Sequence, residues 1–209
     1  AATMVIATVV SVGAATEEAK DDTTATEEAD TTDESGDVAG ITIPEGLDGS
    51  YTIGYAPATL NNAFWIAVKD GLQKAVDESG ADVKIVDVDA GGDQAIMNDG
   101  IANLISSGID ALICAPADST AVVSAFEQCK EAGIPVINFD TPVEGDAVDL
   151  VETIIASDNY NAGYVVGQDA AEKMEDGAKI LVLHSPRASA CVDRLDGFIA
   201  ALDESGKEY

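Results

Sequence analysis

The chain has 209 residues, a formal net charge of −29 and a sequence pI near 4.1. Proteins that bind nucleic acids use lysine and arginine to neutralise phosphates, so this charge argues against a nucleic-acid partner. The sequence contains no basic amphipathic helix, which disfavours an anionic membrane surface as well. Acidity on this scale favours solubility.

The first 48 residues differ in composition from the rest of the chain. Residues 1–15 include the apolar run MVIATVVSVGAA, which has the length and the small-residue ending of an export signal and is too short for a typical membrane-spanning helix. Residues 16–48 are rich in Asp, Glu and Thr and cannot form a core. We therefore expect the remnant of an export leader followed by a disordered acidic linker. This predicts a periplasmic or extracellular location, with tethering to the membrane as an alternative.

From residue 51 onward, apolar strands alternate with helical patterns, and glycines follow the helices. The strand after YTIGYA is DVKIVDVD, and the later ones are IDALICAP, IPVINFD, VETIIASD and AKILVLHS. The glycines that end the helices are Gly80, Gly108, Gly133, Gly177 and Gly206. Apolar strands that alternate with helices predict a parallel sheet covered on both faces, so the fold class is α/β with a doubly wound sheet.

The turn that leaves the first strand contains two amides and two aromatic residues: Asn61, Asn62, Phe64 and Trp65. Ligands of open parallel sheets bind outside the carboxyl ends of the strands, and amides with aromatic faces suit a small polar molecule such as a sugar. The alternative is that Trp65 belongs to the buried stripe of the helix that follows, because apolar residues recur there at helical spacing. Consecutive helical side chains point about 100° apart, so we expect at least one of the two aromatics to face away from the core.

Polar residues also follow the other strands. Asp118, Ser119, Ser157 and Asp158 are favourable helix caps, and capping explains them best. Asp140 is different, because Thr-Pro-Val follows it rather than a helix. Asp140 is therefore the strongest of these candidates for a binding role.

Sequence signatures of catalysis and of cofactors are weak. There is no GxGxxG or GxxxxGK[ST] pattern, and the single histidine, His184, has no GxSxG motif beside it. The run Asp87 to Asp93 lacks the glycine and the terminal glutamate of a calcium loop at the required offsets. The three cysteines form no CxxC pair and are predicted to be unpaired. We expect a protein that is not an enzyme and has neither a metal nor another cofactor.

Four separated stretches carry a family resemblance. The segments TLNNAFWIAVKDGLQKAVDE, DALICAPADSTAVVSAFEQCKEAGIPVINFDTP, IASDNYNAGYVVGQDAAEKM and DRLDGF resemble, in order and in spacing, the ribose-type sugar-binding proteins of bacterial ABC importers. The resemblance covers residues 51–209, and its agreement over several motifs is more specific than any one of them.

This resemblance implies two lobes that close on one monosaccharide and deliver it, as a monomer, to a transporter permease. The first lobe would span residues 49–157 and the second would begin at 158. Because the ending ESGKEY matches the earlier ESGADVKIV, we expect a further strand to begin at residue 207 and the second lobe to be incomplete. By position, Asn62 would hydrogen-bond the sugar, Phe64 and Trp65 would stack on its ring, and Asp140 would accept from its hydroxyls.

The sequence departs from the family pattern at four positions, Ala58, Ala115, Thr141 and Val192. Thr141 and Val192 stand where ribose binders have arginine, and threonine or valine cannot replace the bidentate donors of a guanidinium. These departures argue against ribose as the ligand. Arg187, in a nearby turn, is the candidate to supply a substitute donor.

Two other classes of protein share this resemblance in fold. The effector-binding core of a LacI-like regulator would need a basic helix-turn-helix ahead of it, whereas this chain has an apolar segment and an acidic linker. The sensor domain of a receptor would need a transmembrane helix beyond residue 209. The apolar leader therefore favours the transport protein.

Overall fold

This computed structural model describes residues 5–8 and 49–209. The strands are β1 Val5–Thr8, β2 Ser50–Ala56, β3 Asp82–Asp87, β4 Ala111–Cys114, β5 Val136–Phe139, β6 Thr153–Ile155 and β7 Ile180–Leu183. The helices are α1 Ala63–Ser79, α2 Gln94–Ser107, α3 Val123–Glu131, α4 Asn159–Lys173 and α5 Ser189–Glu204, with a 3₁₀-helix at Gly145–Leu150. The five strands predicted after residue 80 are confirmed, each shorter than the apolar run that indicated it.

Five strands form one sheet in the order β3-β2-β4-β5-β6, and every neighbouring pair is parallel. The chain leaves β2 for β3 on one side and then returns past β2 to β4 on the other. This reversal confirms the predicted doubly wound sheet. It also places a switch point between the carboxyl ends of β2 and β4, which is where such sheets bind ligands.

Helices cover both faces of this sheet because side chains alternate along each strand. On one face, Leu112 and Cys114 of β4 pack with α2 and α3. On the other face, Ile113 of the same strand packs with Tyr55, Phe139 and the apolar side of α1. The two-sided burial accounts for the nearly continuous apolar runs of the sequence.

The remaining elements form a second unit in which α4 packs along α5 beside β7. Gly163 and Gly197 allow this close approach, because a Cβ atom at Gly163 would lie 1.9 Å from the carbonyl oxygen of Arg194, and one at Gly197 2.0 Å from that of Tyr160. The pair β1 and β7 is parallel. Apart from residues 5–8, the predicted leader and the acidic linker lie outside the described residues.

The glycines predicted to end the helices all have positive φ angles. Gly80 and Gly108, with φ of 67° and 81°, are the C-caps of α1 and α2 in the left-handed conformation. The strand expected at residue 207 is wrong: this segment has no strand and instead hydrogen-bonds near Gly177 through Glu208. In the part of the chain that the structure describes, no helix is both long enough and apolar enough to cross a membrane.

Candidate functional site

The turn after β2 is held in place by backbone contacts and by one carboxylate. Oδ1 of Asp89 accepts hydrogen bonds from the backbone N–H groups of Leu60 and Gly91, both at 3.0 Å. These two bonds lower the pKa of the Asp89 carboxyl below its ordinary value. The backbone N–H of Gly92 donates to the carbonyl of Ala58 at 2.8 Å. Asp89 therefore organises the turn that carries the first candidate residues.

Asn62 is the N-cap of α1, with extended backbone angles, and its Oδ1 accepts from the backbone N–H of Phe64 at 2.9 Å. A short side chain that satisfies an otherwise unpaired N–H at a helix start is the usual reason for Asn at this position. A cleft lies at the carboxyl ends of β2, β4 and β5, and Asn62 lines it. Since the oxygen of Asn62 accepts the capping hydrogen bond, its Nδ2 group is available to a molecule in this cleft.

Trp65 lies in the core and also borders the cleft. It is only 7% exposed and belongs to an aromatic cluster with Tyr55 and Phe139. The centroids of its ring and that of Phe139 lie 5.8 Å apart, edge to face, and the hydroxyl of Tyr55 donates to its backbone carbonyl at 2.9 Å. The same residue lines the cleft. Truncation of Trp65 would therefore open a cavity in the core as well as remove a cleft surface.

Phe64 lies beside Trp65 at the start of α1. It packs edge to face against Trp65, with ring centroids 4.9 Å apart, and contributes to the partly buried margin of the aromatic cluster. It is not among the residues that line the cleft. The physical reason is the rotation of about 100° between consecutive helical side chains, which lets only one of the two face the carboxyl edge of the sheet.

Asp140 follows β5 in a conformation that L-residues rarely adopt, with φ of 58°. Its backbone N–H donates to the carbonyl of Ile155 at 2.8 Å, and its Oδ2 accepts from the hydroxyl of Thr141 at 3.1 Å. Burial raises the pKa of the Asp140 carboxyl, and the Thr141 hydroxyl and the positive charge of Arg194 offset part of this effect. Strained residues of this kind concentrate at binding sites, where the surrounding structure holds them.

Beneath Asp140, the fully buried Asn138 holds the turn together. Its Nδ2 donates to the carbonyls of Cys114 and Thr141 at 3.1 and 3.0 Å, and its Oδ1 accepts from the backbone N–H of Val143 at 3.1 Å. One amide side chain thus fixes both ends of the turn that presents Asp140.

The opposite wall of the cleft comes from the second unit and contains both arginines of the chain, Arg187 and Arg194. The charge of Arg194 acts on Asp140. Burial tends to raise the pKa of Asp118, but hydrogen bonds from the backbone and the hydroxyl of its neighbours, together with the charge of Arg187, hold that pKa below its ordinary value. Each guanidinium thus acts on one carboxylate, Arg194 on Asp140 within the cleft and Arg187 on Asp118 beside it, and the cleft is rich in donors and acceptors.

The cleft has a volume of about 290 Å³. Its lining residues are Ala58, Asn62, Trp65, Gly92, Pro116, Ala117, Asp140, Thr141, Ser185, Arg187, Ala188, Ala190, Cys191 and Arg194. Four of the five predicted site residues are therefore brought together, and the fifth, Phe64, is not. A larger hollow of about 450 Å³ lies at the amino end of β7, away from these side chains and from the carboxyl edge of the five-stranded sheet.

Arg194 is the site residue that the sequence reasoning did not select. The available signal was helical spacing: Ala190, Cys191 and Arg194 lie on one face of α5. Of the four positions that depart from the family pattern, Ala58 and Thr141 line the cleft, whereas Ala115 is fully buried and Val192 is not part of the lining. The arginines that line the cleft from the second unit are Arg187 and Arg194.

The three cysteines are free, as predicted. Cys114 and Cys129 are buried in the core, and burial raises the pKa of the Cys129 thiol to about 11. Both behave as small apolar side chains. Cys191 is half-buried and borders the cleft, a placement that the sequence did not indicate.

Comparison with known proteins agrees with this architecture. The chain is 36% identical over 155 residues to the ribose import binding protein RbsB of Bacillus subtilis, covering 74% of this chain and 49% of that protein. It is 35% identical over 165 residues to RbsB of Haemophilus influenzae, covering 78% and 55% of the two chains. The chain thus spans about half the length of these curated relatives.

A solved structure also matches this fold. An ABC transporter solute binding protein from Agrobacterium vitis with bound D-fucose superimposes with a TM-score of 0.68 at 27% identity, covering 73% of this chain and 53% of that chain. Residues 53–209 match the family described as periplasmic binding protein domain. The match takes in every element from β3 to α5, including the turns that form the cleft. This chain belongs to the periplasmic binding protein domain family.

Proposed function

We propose that this protein is an extracytoplasmic solute-binding protein that captures one monosaccharide and delivers it to an ABC importer. The observation that carries the proposal is the cleft at the switch point of the sheet. There an aromatic surface (Trp65), an amide (Asn62) and a carboxylate (Asp140) face two guanidinium groups across a space of about 290 Å³.

The chemistry of this lining suits a neutral polyol. A sugar hydroxyl both donates and accepts, so it can donate to the Asp140 carboxylate and accept from an arginine. The apolar face of a sugar ring can lie against the exposed part of Trp65. Because each arginine has an acidic neighbour, the cleft carries no large excess charge that would select an ionic ligand. The names of the relatives, which include ribose and D-fucose binders, support the same class of ligand.

Membership of the family supports the location and the partner that we propose. We place the protein in the periplasm or outside the cell, tethered or free, and expect it to act as a monomer with a transporter permease as partner and without enzymatic activity. We further propose that the first lobe spans residues 49–157 and that the second begins at residue 158, where the chain leaves β6 for α4.

The test is calorimetric titration of the full-length natural protein with D-ribose, D-allose, D-fucose and L-arabinose. We expect saturable binding of at least one sugar with a dissociation constant of about 1 to 100 µM. Replacing Asp140 or Arg194 with Ala should weaken binding about tenfold or more, because each change leaves charged hydrogen-bonding partners unpaired.

The matched control is Asp169→Ala, which removes an exposed carboxylate of α4 whose ion pair, within residues 49–209, is with Lys173. Its affinity for the same sugar should be unchanged. Absence of heat with every sugar, from protein shown to be folded, would reject the proposed ligand class. Equal losses in the control and in the cleft variants would reject the proposed site.

A further inference from the structure

Two buried serines join the walls of the cleft. Ser119, in the turn after β4, is 1% exposed, and Ser189, the first residue of α5, is 4% exposed. The backbone N–H of Ser189 donates to Oγ of Ser119 at 3.0 Å, and the two hydroxyls lie 3.1 Å apart. Ser189 Oγ donates to the carbonyl of Pro142 at 2.6 Å, and the backbone N–H of Ser119 donates to the carbonyl of Arg187 at 3.0 Å.

The direction of these bonds is fixed by elementary hydrogen-bond chemistry. The Pro142 carbonyl can only accept, so the Ser189 hydroxyl must use its single proton on that carbonyl. The Ser119 hydroxyl must then donate to Ser189 Oγ. Each hydroxyl both donates and accepts, and such chains of hydrogen bonds strengthen one another in a buried setting.

The serine pair also completes a helix terminus. Helices α1, α2 and α4 have their own capping side chains in Asn62, Asp93 and Asp158. The N-cap of α5 is Ala188, which has no side chain able to accept a hydrogen bond. Ser119, 70 positions earlier in the sequence and on the opposite wall, supplies the missing acceptor. The start of α5 is therefore capped only when the two walls are in contact.

The serine pair lies beside the lining of the cleft. It holds the backbone of Arg187 on one wall and the carbonyl of Pro142, next to Thr141, on the other. Ser119 and Ser189 themselves are not among the lining residues. The pair thus sets the distance between the walls from a position outside the ligand space.

We infer that Ser119 and Ser189 are positioning residues of the cleft: their cross-wall hydrogen bonds stabilise the arrangement in which Arg187 and Arg194 face Asp140. The inference rests on the proposed function for its effect on sugar affinity. If the arrangement competent for binding is less populated, the apparent affinity falls by the same factor although no ligand contact is lost.

The experiment compares Ser119→Ala, Ser189→Ala and the double variant with the unmodified full-length protein. The control is Ser106→Ala, which removes an exposed hydroxyl that donates to the carbonyl of Ala102 within α2. Calorimetry with D-ribose, D-allose, D-fucose and L-arabinose gives the affinity, and amide hydrogen exchange reports on residues 187–189 without any sugar.

Each single variant should weaken the affinity for the bound sugar about three- to tenfold, and the double variant should lose little more, because one network is broken in each case. Exchange at the Ser189 amide should be faster in Ser119→Ala, while amides of the five-stranded sheet keep their protection. The Ser106→Ala control should match the unmodified protein in both measurements.

Unchanged exchange at residues 187–189, or additive losses of affinity in the double variant, would overturn the inference. Faster exchange throughout the chain would also overturn it, because it would mean a general loss of stability. If the unmodified protein binds none of the sugars, the proposed function fails, and the exchange measurement still decides whether the serine pair holds the walls together.

Discussion

At the scale of single residues, the turn after β5 shows how a side chain that lines the cleft is held in an unfavourable backbone conformation. Asp140 combines a left-handed backbone with a half-buried carboxylate. Asn138, beneath it, makes two hydrogen bonds to the backbone of the same turn and a third to Cys114 of β4. The backbone strain at Asp140 is thus offset by the hydrogen bonds of Asn138, which is not among the residues that line the cleft. Both residues yield separate predictions.

Asp140→Asn should change the pH dependence of stability. Because the pKa of Asp140 is raised in the folded state, its contribution is fully present below the unfolded pKa of about 3.9 and is lost as the pH rises through the folded value. The asparagine variant lacks this loss. Its free energy of unfolding relative to the unmodified protein should therefore increase between about pH 4 and about pH 7.

Urea unfolding at several pH values measures this difference. A difference for Asp140→Asn that is constant with pH would contradict the assignment of a raised pKa.

Asn138→Ala should lower the free energy of unfolding by about 2 to 4 kcal/mol, because three buried backbone groups lose their partners together. Urea unfolding of the variant measures this loss. Removal of the Asn98 side chain, which donates to Ala121 at an exposed site, is the matched comparison and should cost less than about 1 kcal/mol. Equal losses for the two asparagines would mean that Asn138 does not support the turn.

At the scale of elements, the contact between α4 and α5 depends on residues without side chains. Gly163→Ala would place a Cβ atom 1.9 Å from the carbonyl oxygen of Arg194, so α5 must move. We expect a loss of about 2 to 4 kcal/mol in the free energy of unfolding, at the upper end of overpacking effects. Since Arg194 lies on the displaced segment, sugar affinity should fall as well.

Gly71→Ala is the control for the helix substitution itself. Gly71 lies within α1 and is exposed, and a Cβ atom there would have no neighbour within 4 Å. This variant should be more stable by about 0.5 to 1 kcal/mol, because alanine loses less backbone entropy than glycine in a helix. Thermal or urea unfolding of the two variants should therefore give opposite signs, and the same sign for both would contradict the packing argument.

At the scale of the whole molecule, charge is the dominant feature. A net charge of −29 on 209 residues implies mutual repulsion that opposes compact structure. The ion pairs within 4 Å in the described part of the chain are Lys69–Asp87, Lys74–Glu78 and Lys173–Asp169, and exposed pairs of this kind contribute little. Stability should therefore depend on ionic strength more than on these pairs.

Raising NaCl from about 0.01 M to about 0.3 M should increase the melting temperature, because the Debye length falls from about 30 Å to below 10 Å and repulsion is screened. Scanning calorimetry measures the change. Sucrose at equal osmolality is the control. Exclusion of solute from the protein surface would stabilise the protein in sucrose and in NaCl alike, whereas screening of charge would act only in NaCl. A melting temperature that is insensitive to NaCl would mean that repulsion does not limit stability.

Much of the architecture could be predicted from the sequence because its signals are local. Apolar runs marked the strands, and glycines with positive φ stand at or directly after the C-caps of α1, α2, α3 and α5, whereas Gly177 lies in the turn beyond α4. The doubly wound order followed from the alternation of strands and helices. Asn62, Trp65 and Asp140 lie beyond strand ends, which parallel strands bring to one edge, and the family resemblance implied a binding role for them. Arg187 was named from the resemblance, as a substitute for an arginine of the ribose binders.

The composition of the cleft was decided by tertiary structure. Phe64 and Trp65 are adjacent in sequence, and only packing against Tyr55 and Phe139 determined that Trp65 faces the cleft. Arg194 reaches the cleft because Gly163 lets α5 approach α4. The link between Ser119 and Ser189 crosses 70 positions. The sequence alone determined the elements and their order, since these depend on periodicity and backbone preference, whereas the contacts across the cleft depend on distances between segments that only the folded chain defines.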